Sequence, residues 1–326
     1  MDSSIIETLS HHFPIDCSSS SEVIQSLWSG YGKLTRLQLS SLNNESIIVK
    51  HVVPPTDNNH PRGWHSDLSH RRKLRSYEIE LNFYKHFASQ CNEHSRVPAH
   101  LWSDHTEDQF ILVLEDLMTS GYPEVLHSVN VLQFEACIQW LANFHAVFMG
   151  IKPDGLWDIG SYWHMDTRPD ELKALKDQDL KAAASNIDKR LNNAVYQTII
   201  HGDAKLANFC FSSEGSSVAA VDFQYVGGGC GMKDLAYFVG SCLSEKDAED
   251  QELKILDLYF SALNLALTEK SASWPLDDIR SEWQPLYRVA WADFHRFLKG
   301  WSPQHWKINS YSERICREVS QELGNL

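Results

Sequence analysis

The feature that most constrains this chain is the stretch His201-Gly202-Asp203-Ala204-Lys205-Leu206-Ala207-Asn208. It lies between two short β-type runs, Thr198-Ile199-Ile200 and Phe209-Cys210-Phe211. A third run, Val218-Ala219-Ala220-Val221, follows the polar turn Ser212-Ser213-Glu214-Gly215-Ser216-Ser217. Apolar runs joined by a glycine-containing polar turn read as a β-hairpin. That hairpin carries Asn208 at one end and Asp222 just past the other, so the two meet in space. These residue types suit phosphoryl transfer, in which catalysis is mostly positioning and charge stabilisation. Asp203 would orient and deprotonate an attacking hydroxyl. Lys205 would meet the transferred phosphoryl group, and Asn208 and Asp222 would hold Mg²⁺ through hard oxygen donors.

Such a site needs phosphate and nucleotide contacts from elsewhere in the chain. Ser46-Ile47-Ile48-Val49-Lys50-His51-Val52-Val53 reads as a strand whose apolar run is interrupted by Lys50. A lysine buried there requires an anionic partner; the alternative is an edge strand with Lys50 in water. Leu74, Tyr77, Leu81, Tyr84 and Ala88 repeat at helical spacing and predict a helix from about His70 to Ser89. Glu80 flanks that stripe near Phe83 and Phe87, whereas Glu78 has fewer apolar neighbours, so Glu80 is the favoured partner of Lys50. Gly30 and Gly32, within Leu27-Trp28-Ser29-Gly30-Tyr31-Gly32-Lys33, form a glycine turn between two β-type segments. Glycine there would let the backbone approach a phosphate, and it equally suits an ordinary hairpin. The run Phe110-Ile111-Leu112-Val113-Leu114 is consistent with a buried strand. It ends in Glu115-Asp116-Leu117, a lobe junction where the main chain of Glu115 and Leu117 would face an adenine edge.

The remaining segments give coarser expectations. Ile5 to about Leu27 reads as one or two short helices, and Pro54–Ser69 as an irregular insertion, either a surface loop or a substrate-facing flap. Val131 to Met149 is helical, with His145 on its packed face. Glu171 to about Asn193 is mostly helix, charged and exposed. Gly227-Gly228-Gly229-Cys230-Gly231 lacks the GK[ST] ending of a P-loop and reads as a mobile segment. Asp234 either caps the following helix or bonds the backbone of the His201–Asp203 turn. Lys246 to Leu326 is helical. Trp283, Trp291, Trp301 and Trp306, with Asp293, His295, Arg296 and His305, form either core packing or a small-molecule pocket wall.

Composition excludes several classes. A chain of 326 residues with 43% hydrophobic content can build two lobes around a sizeable core. Its net charge of -14 speaks against nucleic acid as a partner. No apolar run is long enough for a bilayer, which speaks against a membrane protein. The N-terminus lacks the basic and apolar regions of a signal peptide, and the seven scattered cysteines contain no CxxC. A cytoplasmic enzyme with reduced thiols is the expectation. The spacing of His51, His60, His65 and His70 matches no metal-ligand pattern, and HExxH is absent.

Taken together, His201-Gly202-Asp203 with Lys205 and Asn208, then Asp222, then Asp234-Leu235-Ala236, resembles the aminoglycoside phosphotransferase and choline kinase family. The nearer likeness is to its ecdysteroid-kinase-like branch, through Arg72-Lys73-Leu74-Arg75-Ser76-Tyr77-Glu78, Phe83-Tyr84 and Gly300-Trp301-Ser302-Pro303-Gln304-His305-Trp306-Lys307. The resemblance spans about Trp28 to Lys307. It implies an α+β, bilobal, protein-kinase-like fold with a small antiparallel-sheet N-lobe (1–117) and a mainly helical C-lobe (118–326). It also implies ATP, Mg²⁺ and a small-molecule alcohol as acceptor. By position, Asp203 would be the base, Asn208 and Asp222 metal ligands, Lys50 a phosphate contact paired with Glu80, and Gly30 and Gly32 part of a phosphate loop. The chain departs from protein kinases at Asp222-Phe223-Gln224, where Phe-Gly is expected, and no Ala-Pro-Glu follows.

Overall fold

Strand β3 (Ser46–Val52) lies at the centre of an antiparallel sheet ordered β1–β2–β3–β5–β4, where β1 is Ser21–Ser26, β2 Gly32–Gln38, β4 His100–His105 and β5 Phe110–Glu115. The computed structural model describes residues 3–16, 19–27, 30–40, 45–54, 67–106, 109–270 and 274–324. Both faces of β3 are covered. Ile47 and Val49 pack with Leu37, Ile111 and Val113 beneath Ile5 and Leu9 of helix α1 (Ser3–Ser10). Val52, on the other face, packs with Tyr31, Phe110, and Tyr77 and Leu81 of helix α2 (Asp67–His86). Burial on both sides explains an apolar run rather than an alternating one. It also places Lys50, opposite Leu34 and Leu112 in the ladder, inside the protein rather than at an edge.

The N-terminal segment is half helix and half strand. Helix α1 forms, but Ser21–Ser26 is strand β1, paired with β2 across a bulge between Val23 and Gln25. Every residue of β1 is exposed, so no core face gives it a hydrophobic period. Only the β-branched pair Val23-Ile24 hinted at a strand. Residues 55–66 of the expected insertion fall outside the described residues.

After β5 the chain becomes mainly helical. Short strand β6 (Glu124–Val125) leads to α3 (Val131–Val147), whose first turn is closed by a reciprocal cap between Asn130 and Gln133. Helices α4 (Pro169–Ala174) and α5 (Gln178–Asn192) make up the mostly helical stretch expected there. α5 is not simply exposed: Leu180, Ala183, Ala184, Ile187 and Leu191 are buried. Strands β7 (Thr198–Ile200), β8 (Phe209–Phe211) and β9 (Val218–Ala220) follow. β8 and β9 pair as the expected hairpin, Phe209 opposite Ala220 and Phe211 opposite Val218, and β6 adds a third strand.

The glycine run is not a mobile segment. Gly227–Gly229 forms strand β10, in register with β7. The carbonyl of Trp157 sits against Gly227 where any Cβ would lie, so close backbone packing accounts for the glycines. Helices α6 (Met232–Cys242), α7 (Glu245–Asp250), α8 (Glu252–Glu269), α9 (Leu276–Trp301) and α10 (Ser310–Leu323) complete the chain. The core is continuous between the two regions: Phe83 of α2 stacks on Phe223 at 4.0 Å between ring centres and meets Phe144 and Phe148 of the α3 region.

Candidate active site

A cavity of about 810 Å³ runs between the sheet region and the helical region. Leu27, Tyr31, Leu34 and Ile48 line it on the sheet side, Glu115 to Met118 at the junction, and Asp203, Lys205, Asn208 and Asp222 on the helical side.

The loop after β7 is built around backbone demands. Gly202 has φ +77°, and a Cβ there would lie 2.1 Å from the carbonyl oxygen of Tyr225, so only glycine fits. Its N–H and that of His201 both donate to the carboxylate of Asp234, at 2.9 and 2.6 Å. The bonds of the Asp234 carboxylate run to this turn and to His145, not to the first turn of its own helix. It therefore anchors the turn, the second of the two roles open to it. His201 lies beneath the loop: its Nδ1 accepts from the Asp203 N–H at 3.2 Å, and its Nε2 donates to the carbonyl of Val221 at 3.0 Å. Because a backbone N–H can only donate and a carbonyl only accept, these bonds fix the neutral Nε2–H tautomer.

Asp203 is buried and its two oxygens differ. Oδ2 accepts from Lys205 Nζ at 2.8 Å and from Asn208 Nδ2 at 3.3 Å. Among the described residues Oδ1 has no partner within hydrogen-bond distance, and the Tyr237 hydroxyl acts on the same carboxylate. Burial pushes the Asp203 carboxyl above the ordinary aspartate value, against the opposing pull of Lys205. Asn208 Nδ2 also donates to the Asp203 carbonyl at 2.8 Å, which leaves the amide oxygen of Asn208 outside these bonds. The Val221 N–H donates to the Asn208 carbonyl at 2.9 Å, so the hairpin brings Asp222 alongside the Asp203 loop.

The sheet region contributes a buried ion pair. Lys50 Nζ lies 2.6 Å from Glu80 Oε2 and 3.6 Å from Asp222 Oδ1. Burial would lower the Lys50 pKa, but Glu80 and Asp222 outweigh it and hold the ammonium above its ordinary value. Burial likewise opposes ionisation of Asp222, yet Lys50, Lys205 and Lys73 depress its pKa. Glu78 instead pairs with Arg75 at 2.9 Å on the surface.

Asp222 has φ +68°, a left-handed conformation uncommon for aspartate, and its side chain is about one-third exposed. Gln224, where the sequence departs from protein kinases, donates to Asp222 Oδ1 at 2.8 Å.

The remaining sequence-derived positions divide. Glu115 and Leu117 line the cavity. Gly30, with φ +76°, and Gly32 stand at the β1–β2 turn next to the cavity-lining Leu27 and Tyr31, but do not line it themselves. A Cβ on Gly32 would meet the carbonyl of His51 at 2.0 Å, so strand packing accounts for this glycine. The tryptophan-rich region is mostly core. Trp283 and Trp291 are buried, and Asp293 and Arg296 form a buried pair at 2.8 Å beside Trp163. Trp306 is exposed, and of the four tryptophans Trp301 alone lines the cavity.

Sequence reasoning missed the rest of that wall: Tyr162, Arg168, Glu171, Tyr225, Tyr237 and Phe297. It also missed the bonds of Arg36 and Ser46 to Asp116, at 2.5 and 2.6 Å, which tie the sheet to the junction. Lys307 was legible only as part of a signature. Its Nζ lies over the rings of Tyr237, Phe294 and Trp306 at 5.1 to 5.6 Å, and burial lowers its pKa to about 8. Among the described residues no three His, Cys, Asp or Glu cluster as a metal centre, and no helix is long and apolar enough to cross a membrane.

Residues 161–271 match the model of the ecdysteroid kinase-like family. The ecdysteroid kinase-like segment is about a third of the chain and contains Asp203, Lys205, Asn208, Asp222 and Asp234; Lys50, Glu80 and the Gly300–Lys307 stretch lie outside it. No curated protein sequence matches the chain. Among solved structures, the chain is similar in fold to an ethanolamine kinase of Plasmodium vivax, at 13% identity and a TM-score of 0.54, covering 93% of this chain and 82% of that one. It also matches an aminoglycoside phosphotransferase of Streptomyces rimosus solved with ADP and streptomycin, at 14% identity and a TM-score of 0.45, covering 89% of this chain and 99% of that one. The fold class is thus the α+β, kinase-like one: an antiparallel sheet region followed by a helical region.

Proposed function

We propose that this chain is an ATP- and Mg²⁺-dependent phosphotransferase that moves the γ-phosphoryl group to a hydroxyl of a small molecule. The observation that carries the reading is the unpartnered, buried Oδ1 of Asp203, in a carboxylate whose other oxygen is held by Lys205 and Asn208 at the cavity wall. An oxygen so placed orients an acceptor hydroxyl and takes its proton as the acceptor oxygen bonds to the γ-phosphorus and the bond to the ADP oxygen breaks. Lys205 balances charge on the transferring group. Lys50, held by Glu80, contacts nucleotide phosphates, with Gly30 and Gly32 in the turn above.

At the junction the Glu115 N–H is already donated to the Ala99 carbonyl at 3.0 Å. The Leu117 N–H has no acceptor among the described residues and is the donor available to a base. We set the boundary between lobes at 117/118; the pairing of β6, a few residues beyond, with β8 of the helical region supports it.

The donor set suits a hard divalent cation: the amide oxygen of Asn208 and the Asp222 oxygen not bonded to Gln224. Bound there, Mg²⁺ would neutralise phosphate charge and fix the phosphate geometry. The acceptor is a small molecule, received at the aromatic end of the cavity by Tyr162, Tyr237, Phe297 and Trp301. A cytoplasmic location accords with these substrates and with six described cysteines that are all free.

The test is incubation with γ-labelled ATP and Mg²⁺ against a panel of small alcohols and a panel of peptides. Label is expected on a small alcohol. Label on peptides alone would make this a protein kinase, and nucleotide binding without transfer to either panel would make it a non-catalytic binding protein.

A further inference from the structure

Asp222-Phe223-Gln224, just after the β8–β9 hairpin, contains a tether that the phosphotransfer reading does not use. Gln224 is only 6% exposed and every polar atom of its side chain is engaged. On one side its amide faces Lys73 Nζ at 2.9 Å and Ser76 Oγ at 3.1 Å, both from α2. On the other it faces Asp222 Oδ1 at 2.8 Å. The partners settle which atom is which. An ammonium can only donate, so the atom towards Lys73 is Oε1; an ionised carboxylate can only accept, so the atom towards Asp222 is Nε2–H. The backbone is held as well, because Trp157 Nε1 donates to the Gln224 carbonyl at 2.8 Å. Between the two polar residues, Phe223 is locked by its stack on Phe83 of the same helix.

We infer that Gln224 is a positioning residue for the cation site: it commits one oxygen of Asp222, leaves the other for Mg²⁺, and fixes that choice to the position of α2. The inference rests on the reading of Asp222 as a metal-holding carboxylate. Asp222 needs such a device. It stands in a left-handed backbone conformation, its side chain is partly open to the cavity, and three lysines surround it. Without a directional bond its carboxylate would turn towards Lys50, already 3.6 Å from the same Oδ1. A side-chain amide that donates to a metal-binding carboxylate orients it much as outer-shell partners do in other metal sites, where their loss costs about 10- to 100-fold in metal affinity. The same helix carries Glu80, so α2 sets both the Lys50 pair and the cation site.

The experiment measures ADP binding to the full chain by calorimetry, with and without Mg²⁺, and Mn²⁺ binding by electron paramagnetic resonance. Gln224→Met keeps length and volume but removes both halves of the tether. It is expected to reduce the Mg²⁺-dependent gain in ADP affinity, and Mn²⁺ affinity, by about tenfold or more, with Mg²⁺-free ADP affinity unchanged. Ser76→Ala removes the weaker of the two contacts to Oε1, since the one Ser76 hydroxyl proton also faces the Lys73 carbonyl at 2.7 Å, and is expected to give a loss of about threefold in the same quantities. It serves on its own if Gln224→Met fails to fold. Wild-type metal linkage in the folded variants overturns the inference, as does a loss of ADP affinity that is equal with and without Mg²⁺. Asp222→Ala separates the two levels of the claim. If it abolishes the Mg²⁺-dependent gain while the tether variants do not, only the role of Gln224 falls; if it leaves the gain intact, the cation site itself is elsewhere and the tether falls with it.

Discussion

Asp203 in the loop after β7 and Asp234 at the start of α6 are both buried aspartates, and they are left in opposite electrostatic states. Asp234 accepts from the His201 and Gly202 N–H groups and from His145 Nε2 at 3.1 Å, and His145 is held in turn by the Tyr259 hydroxyl at 2.7 Å. Burial opposes its charge, but the bonds from His145 and the backbone win and its pKa is depressed. Asp203 keeps one oxygen unpartnered, and burial wins over Lys205, so its pKa is raised. A buried carboxylate with a full set of donors holds architecture. One with an unpartnered oxygen at a cavity wall has a place for a substrate proton, and its ionisation is correspondingly costly.

The sharpest way to break this contrast is to truncate each residue. Asp203→Ala is expected to lower kcat about 10³-fold or more, as loss of a general base does, while stability to urea stays at or above wild type because a desolvated charge is removed. Near wild-type turnover would remove Asp203 from the chemistry. Asp234→Ala is expected to cost about 3 kcal/mol of stability, because two buried N–H groups and His145 lose their acceptor. A loss below about 1 kcal/mol by urea titration would show that water replaces the carboxylate, and the contrast between the two aspartates would disappear.

How much of this could be read from the residues follows from the range over which each signal acts. The β8–β9 hairpin was legible because alternating run, turn and run are local, and that alone put Asn208 near Asp222. The Lys50–Glu80 pair was legible because a lysine inside an apolar run and a glutamate beside a helical stripe each demand a partner. Strand β1 was not, since an exposed edge strand has no core face to impose a period. The Gly227–Gly229 strand was not, because its glycines answer to the Trp157 backbone, far away in sequence. The buried face of α5 was hidden by its charged residues, and the cavity wall of Tyr162, Arg168, Tyr237 and Phe297 is assembled from three separated segments with no shared pattern. Gln224 had a local signal, its place after Asp222-Phe223, but its partners Lys73 and Ser76 come from another element.

A pH titration separates the two aspartates without mutation. As the proposed base, Asp203 must be ionised to act, and its pKa in the unliganded fold is raised, so the acid limb of kcat/KM is expected above the ordinary aspartate value of about 3.9. Protonating it does not weaken the fold, since a group with a raised carboxyl pKa binds its proton more readily when folded. Asp234 behaves inversely. Its depressed folded pKa contributes stability that is complete above the unfolded value and lost only as pH falls below it. Lowering the pH from neutral should therefore abolish turnover before the Asp234 contribution begins to fade. Circular dichroism and kcat/KM followed on the same samples would test this; activity and fold lost together would show that the two carboxylates titrate alike.

The smallest effect is expected at the far end of the Asp234 chain. Tyr259 is fully buried and its hydroxyl is the donor to His145 Nδ1. Tyr259→Phe conserves the ring packing against Phe260 and removes only that donor, leaving a buried nitrogen lone pair unsatisfied. The expected cost is about 1 kcal/mol in urea unfolding, with kcat within about twofold of wild type. The two readouts matter together, because the His145 side chain bonds to Asp234, which holds the His201–Gly202 turn. If loss of the Tyr259 hydroxyl lowers kcat as much as it lowers stability, the Asp234 anchor is not rigid, and strain passes through it to the Asp203 loop. If stability alone responds, the three donors to Asp234 hold the turn without the Tyr259 hydroxyl behind them, and the division between the anchoring aspartate and the proposed base stands at the level of single hydrogen bonds.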